Sequence, residues 1–207
     1  MLELYDIFPK TIALAQLRTL TPSLINDAIA FLDETELVEL GSDGAYTKEQ
    51  QLLELPLFRA VKEELLTLCM EFSQAWAHEV KAIGICNSWG NVVGLNQSIR
   101  YHRHDNSYIS GSFYLTEGSK FNLLNNLTSD LFSIVPKIKH DAPHKRSFES
   151  LDIDPMPGKV IIYPSGMYHS VAASTNDKKR YSIAFNAIPL GEVGKPTSLM
   201  DVQLSRN

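Results

Sequence analysis

Apolar positions in the first third of the chain recur every three or four residues. Leu24, Ile25, Ala28, Ile29 and Leu32 repeat in this way behind Thr21-Pro22. That pair offers an N-cap hydroxyl and a first helical residue whose missing N–H costs nothing, so the pattern predicts a helix ending near Glu34. Gly41-Ser42-Asp43-Gly44 interrupts it as a loop. From Pro56 to about Val80, Leu57, Val61, Leu65, Leu68, Phe72, Trp76 and Val80 form one stripe. That stripe predicts a long helix with one buried face and its aromatics in the core. His78, near its end, reads as a surface or C-terminal capping residue.

Beyond Lys81 the period changes. Ile83–Trp89, Gly94–His102, Ile109–Thr116, Lys120–Leu124, Val160–Tyr163, His169–Ala173 and Tyr181–Ile188 are short segments rich in β-branched and aromatic residues, punctuated by Gly, Pro, Asn and Ser. Helices followed by short strands predict a mostly β architecture, a sandwich or barrel with N-terminal helices packed on one face. Neither repeat nor linker divides the chain. The expectation is one domain over 1–207, with 1–80 as helical support, 81–190 as the β core and 191–207 as a C-terminal tail.

The stretch from Leu127 to Pro157 is the least regular. It holds the basic cluster Lys137-Ile138-Lys139-His140-Asp141-Ala142-Pro143-His144-Lys145-Arg146. Pro143 argues against a helix that would set His140 and His144 on one face. The cluster reads as a solvated loop, or as a lid whose cations meet an anionic substrate.

Composition narrows the function classes. With 207 residues, 44% apolar and 21% charged, the chain is globular in type. A net charge of −5 gives no whole-molecule attraction to nucleic acid or anionic lipid. Two cysteines, Cys69 in the helical stripe and Cys86 in a strand-like run, make neither a disulfide framework nor a thiolate zinc site. The start, MLELYDIFPK, lacks the basic region and apolar core of a signal peptide. No apolar stretch approaches the roughly 18 residues of a membrane span. The expectation is a cytoplasmic protein in a reducing compartment, with six histidines left to explain.

In a strand, residues i and i+2 share a side, so His102 and His104 can present two imidazoles to one point. His169, after the Pro164-Ser165-Gly166 turn, can add a third from across the sheet. Arg180 and Ser182 share a face at the start of the last strong strand. Ferrous iron used with O2 needs three side chains on one side and open positions on the other. A 2-oxo acid cosubstrate would chelate that iron, and its distal carboxylate wants the two aligned donors of an arginine. No G-x-S-x-G elbow and no Gly-rich phosphate loop competes with this layout.

Between about Trp89 and Ala187 the chain carries H-x-H, then S-G-x-x-Y-L, G-x-x-x-x-x-P-S, a histidine, and R-x-S-I-x-F-N, in that order. This segment, roughly half of the chain, resembles the 2-oxoglutarate/Fe(II)-dependent oxygenase superfamily, and within it a little-characterised subgroup found in bacteria and phages. The resemblance implies a double-stranded β-helix, a cupin-like jelly roll with flanking helices, and the cofactors Fe(II) and 2-oxoglutarate. His169 matches the distal iron histidine, Arg180 and Ser182 the R-x-S that holds the cosubstrate carboxylate, and Tyr114 an aromatic that reaches the same cosubstrate. The wider superfamily has H-x-D or H-x-E where this chain has H-x-H followed by Asp105. Two ligand sets therefore stand open. One is His102, His104 and His169, with Asp105 accepting from a ligating imidazole. The other takes Asp105 with one of the histidines, which needs a bulge.

The implied activity is oxidation of an unidentified prime substrate with release of succinate and CO2. The alternatives are a three-histidine dioxygenase that does not use 2-oxoglutarate and a non-enzymatic jelly-roll binding module. A homodimer would use the exposed sheet edges or the long helix.

Overall fold

The computed structural model describes residues 3, 10–125, 150–175 and 177–205. The basic cluster at 137–146, with His140 and His144, lies outside these residues.

Helix α1 spans Pro22–Glu34, and the Thr21 hydroxyl accepts the Leu24 N–H at 3.3 Å, as its sequence asks. The second helical stripe is divided. Pro56–Phe58 form a 3-10 turn, and helix α2 runs from Arg59 to Ala75. The helix stops short of Val80 because Ala77 adopts a left-handed φ of 54°, which cannot continue it. His78 then leaves the helix altogether, and its Nδ1 lies 2.6 Å from the Tyr108 hydroxyl.

The first third is not purely helical. Strands β1 (Ala13–Gln16), β2 (Leu37–Glu39) and β3 (Ala45–Thr47) belong to the large sheet. They are followed by β4 (Ala82–Val93), β5 (Ile99–His102), β6 (Ile109–Tyr114), β7 (Phe121–Leu124), β8 (Ser150–Ile153), β9 (Lys159–Pro164), β10 (His169–Val171), β11 (Arg180–Val193) and β12 (Met200–Val202). The segment expected as a C-terminal tail also carries structure. β11 continues to Val193, and β12 folds back on it with Gly191 opposite Val202.

The large sheet has the order β1-β9-β6-β11-β4-β3-β2, with β12 also paired to β11, and the small sheet is β5-β10-β7-β8. Every named pairing is antiparallel. The mostly β, jelly-roll architecture expected from the sequence is the one observed.

Two apolar layers hold it together. Outside the large sheet, Leu32, Phe58, Val61 and Leu65 from the helices and turns join Phe113, Ile183 and Phe185 from the strands. Inside, Phe121, Leu123, Ile161 and Val171 pack between the sheets. Each such fully buried side chain contributes about 1.5–3 kcal/mol. β11 serves both layers by strict alternation. Tyr181, Ile183, Phe185 and Ala187 enter the helical core, while Arg180, Ser182 and Ala184 line the cavity between the sheets. Outside the sheets, Glu64 of α2 ties down the approach to α1, accepting from the Arg18 and Thr19 N–H groups at 2.9 Å and from the Thr19 hydroxyl at 2.6 Å. Among the described residues, no helix is long and apolar enough to cross a membrane.

Candidate metal centre and cosubstrate pocket

β5 and β10 pair with His102 directly opposite His169, and the two imidazole centroids are 4.2 Å apart. His104 lies two residues past the end of β5, where its N–H donates to the Ser165 carbonyl at 3.0 Å. Its Nε2 is 3.3 Å from that of His102. One nitrogen from each of His102, His104 and His169 falls within 4.8 Å of the others. Such a triangle suits one cation bound on a single side.

Hydrogen bonds behind the rings choose the tautomers. His102 Nδ1 donates to the Arg100 carbonyl at 2.8 Å, and His169 Nδ1 to the Met167 carbonyl at 3.0 Å. Carbonyls only accept, so the protons sit on Nδ1 and the Nε2 lone pairs are free. His104 Nδ1 lies 2.6 Å from Asn186 Oδ1 and 2.9 Å from Ser110 Oγ. The Tyr163 hydroxyl is 3.2 Å from His169 Nε2. Burial, with the neighbouring His102 imidazole next, pushes His169 down to about 3. Burial also lowers His104, against the opposing hydrogen bond to Asn186. Both rings therefore stay neutral near pH 7, the form in which imidazole binds metal.

Arg180 opens β11 and is 1% exposed. Its Nη1 donates to Ser182 Oγ at 3.1 Å, and its guanidinium carbon lies 5.1 Å from the Tyr114 ring centroid. Its Nε has no hydrogen-bond partner, and among the described residues no carboxylate pairs with it. The Tyr114 hydroxyl, near the same cation, also lacks a well-formed hydrogen bond. Burial pushes Tyr114 up to about 12, against the pull of the guanidinium. A buried cation without a counter-ion is costly, and an incoming carboxylate would relieve that cost. Gly118, at φ 147°, leaves room for the arginine stem, because a Cβ there would sit 3.0 Å from the Arg180 Cβ.

The histidines and Arg180 line one cavity, open to solvent, whose walls include Trp89, Ile99, Phe121 and Val171. The donor set fits a ferrous ion, and the unpaired Arg180 fits the far carboxylate of a 2-oxo diacid in the same cavity.

Asp105 does not enter this site. Its side chain is 74% exposed and pairs with Arg103, with Nε and Oδ1 3.3 Å apart. The chain turns away there, with Asn106 at φ 59°, so the carboxylate neither joins the triangle nor accepts from an imidazole. Behind His104, Asn186 and Ser110 take the place expected for Asp105. Ser110 and Asn186 stand in the S-G-x-x-Y-L and R-x-S-I-x-F-N motifs, but the sequence assigns no role to either, nor to Tyr163. Asn186 was within reach, since it lies an even number of residues from Arg180 and Ser182 on the same strand and so shares their face.

The jelly roll thus sets a histidine triangle, with His169 buried and His102 and His104 half-buried, in one cavity with a buried arginine. Residues 87–186 match the family described as "Putative 2OG-Fe(II) oxygenase". Over this segment, a little under half of the chain, it is similar to the 2-oxoglutarate/Fe(II)-dependent oxygenases.

Among solved structures it resembles the non-haem α-ketoglutarate-dependent epimerase SnoN from nogalamycin biosynthesis, with TM-score 0.64 and 10% identity over 88% of this chain and 79% of that one. HygX from Streptomyces hygroscopicus, solved with nickel, 2-oxoglutarate and hygromycin B, gives TM-score 0.56 and 12% identity over 87% and 83%. A Pseudomonas putida prolyl-4-hydroxylase gives 0.57 and 14% over 86% and 92%. At these identities the likeness is one of fold. No curated protein matches by sequence.

Proposed function

We propose that the chain is an Fe(II)- and 2-oxoglutarate-dependent oxygenase that hydroxylates or otherwise oxidises a second substrate. His102, His104 and His169 hold the metal through Nε2. Arg180 and Ser182 hold the distal carboxylate of 2-oxoglutarate, and Tyr114 lies against that end of the cavity. Bound there, Fe(II) and 2-oxoglutarate supply the oxidation of a C–H bond by O2, with release of succinate and CO2. The protein's own part is to position and to exclude. Carbonyls and an amide hold the Nε2 lone pairs convergent, and Ile99, Phe121 and Val171 give the cavity apolar walls.

The observation that carries this reading is Arg180, a fully buried cation without an anionic partner among the described residues, lining the same cavity as the histidine triangle. Residues 1–207 are read as one such domain, because α1 and α2 share their core with the strands that bear the site. Succinate formation from 2-oxoglutarate and O2, dependent on Fe(II), is the test. Oxygen uptake that ignores 2-oxoglutarate would overturn the cosubstrate, and failure to bind Fe(II), Mn(II) or Co(II) stoichiometrically would overturn the metal.

A further inference from the structure

We infer that Asn186 is a positioning residue for the metal centre, fixing the tautomer and direction of His104 through a hydrogen bond from His104 Nδ1 to Asn186 Oδ1. This rests on the metal reading above and assigns a role to a residue that neither the ligand set nor the carboxylate site includes.

The three imidazoles are not held alike. Those of His102 and His169 lean on main-chain carbonyls two residues before them, at Arg100 and Met167, which no substitution removes. His104 lies outside the strand, and both Nδ1 partners are side chains, Asn186 Oδ1 at 2.6 Å and Ser110 Oγ at 2.9 Å. A hydroxyl donates as readily as it accepts, so Ser110 alone does not choose the ring's tautomer. The amide oxygen does. It receives the His104 N–H and the Ser110 hydroxyl, the latter also at 2.6 Å, and two converging donors settle which end of the amide faces them. Ser165 Oγ, 2.8 Å from Ser110 Oγ, extends the chain.

The backbone places Asn186 for this. The β11–β4 register slips between Asn186 and Ala187, whose partners are Asn87 and Ile85, leaving Cys86 as the extra residue of a bulge. The Cys86 thiol donates to the Asn186 carbonyl at 3.3 Å. Bulges re-aim side chains near functional sites, and this one is adjacent to the amide that meets His104. An amide also supplies its acceptor without charge, so the imidazole keeps its proton on Nδ1 and offers Nε2 forward.

The test uses the full chain loaded with Co(II), which shifts the exchangeable imidazole N–H protons far outside the normal NMR range and gives a visible titration. The wild type should show three such protons. Asn186→Leu should weaken Co(II) binding by about 10–100-fold and lose, or expose to fast solvent exchange, one of the three. Asn186→Asp should keep three protons but move one of them, and should restore most of the affinity. Ser110→Ala should leave all three in place.

Three protons and unchanged affinity in Asn186→Leu would overturn the inference while leaving the metal reading intact. So would loss of the proton in Ser110→Ala. Should Asn186→Leu not fold, an Asn186→Asp spectrum identical to wild type is equally fatal. A wild type that takes up no Co(II) would overturn the metal reading and this inference together.

Discussion

His102 and His169 face each other across the β5–β10 ladder, with their Nδ1 protons turned outward to the Arg100 and Met167 carbonyls and their Nε2 atoms turned inward. A pair set by strand register is stiff, because moving either ring means slipping a ladder. His104 completes the triangle from outside the sheet.

Replacing His169 with Ala should therefore abolish the centre rather than loosen it. Mn(II) or Co(II) affinity, read by calorimetry, should fall at least about 100-fold, and succinate formation should stop. Folding should survive, since the rest of the small sheet keeps its core of Phe121, Leu123 and Val171. Thermal unfolding of the apoprotein checks that separation.

Arg180 makes the opposite prediction for the metal. Arg180→Met should lower 2-oxoglutarate affinity by about 100-fold or more, since a desolvated charge-assisted pair is lost, and leave metal affinity within about twofold. The apoprotein should be no less stable, because an unpaired buried cation has been replaced by an apolar chain of similar length. Arg180→Lys should recover little, having lost the fork of aligned donors. Titrations with N-oxalylglycine and apoprotein melting curves measure both halves.

Gly118→Ala should act on the cosubstrate without touching a ligand. The new Cβ would crowd the Arg180 stem on a backbone that side chains seldom adopt, costing about 1–2 kcal/mol of stability and several-fold in 2-oxoglutarate binding. Equal losses in metal binding would contradict this.

Glu64 gives a pH signature far from the site. Burial raises its carboxyl, but hydrogen bonds from Arg18 and Thr19 outweigh that and hold it below the usual value. A lowered folded-state value means the stabilisation is present above the unfolded value of about 4.3 and disappears as pH falls through the folded one. Glu64→Gln should thus cost about 1 kcal/mol at pH 7, allowing for solvent screening, and almost nothing near pH 3. Urea unfolding at pH 7, 5 and 3 resolves it.

What the sequence revealed followed the strength of its periodicity. α1, with a cap and a clean repeat, was legible from Thr21 to its end. So were the strands carrying His102, His169, Arg180 and Ser182, because period-two alternation ties face to position. β1 was not legible. Ala13–Gln16 alternates for only four residues and becomes a strand by pairing with β9, a partner far along the chain. The same limit explains Asp105, where adjacency to His104 suggested a role that the turn at Asn106 removes. Asn186 supplies that role from a distant strand instead.

The alternation of β11 has one more consequence. Its Ile183 and Phe185 are clamped by the helical layer, while the residues between them shape the cavity. The stiffness felt by a bound carboxylate is therefore borrowed from helices that never approach it. Loosening the packing at Phe58 or Leu65 should blur the pocket well before the molecule comes apart, which makes the helical layer a backing plate for the chemistry.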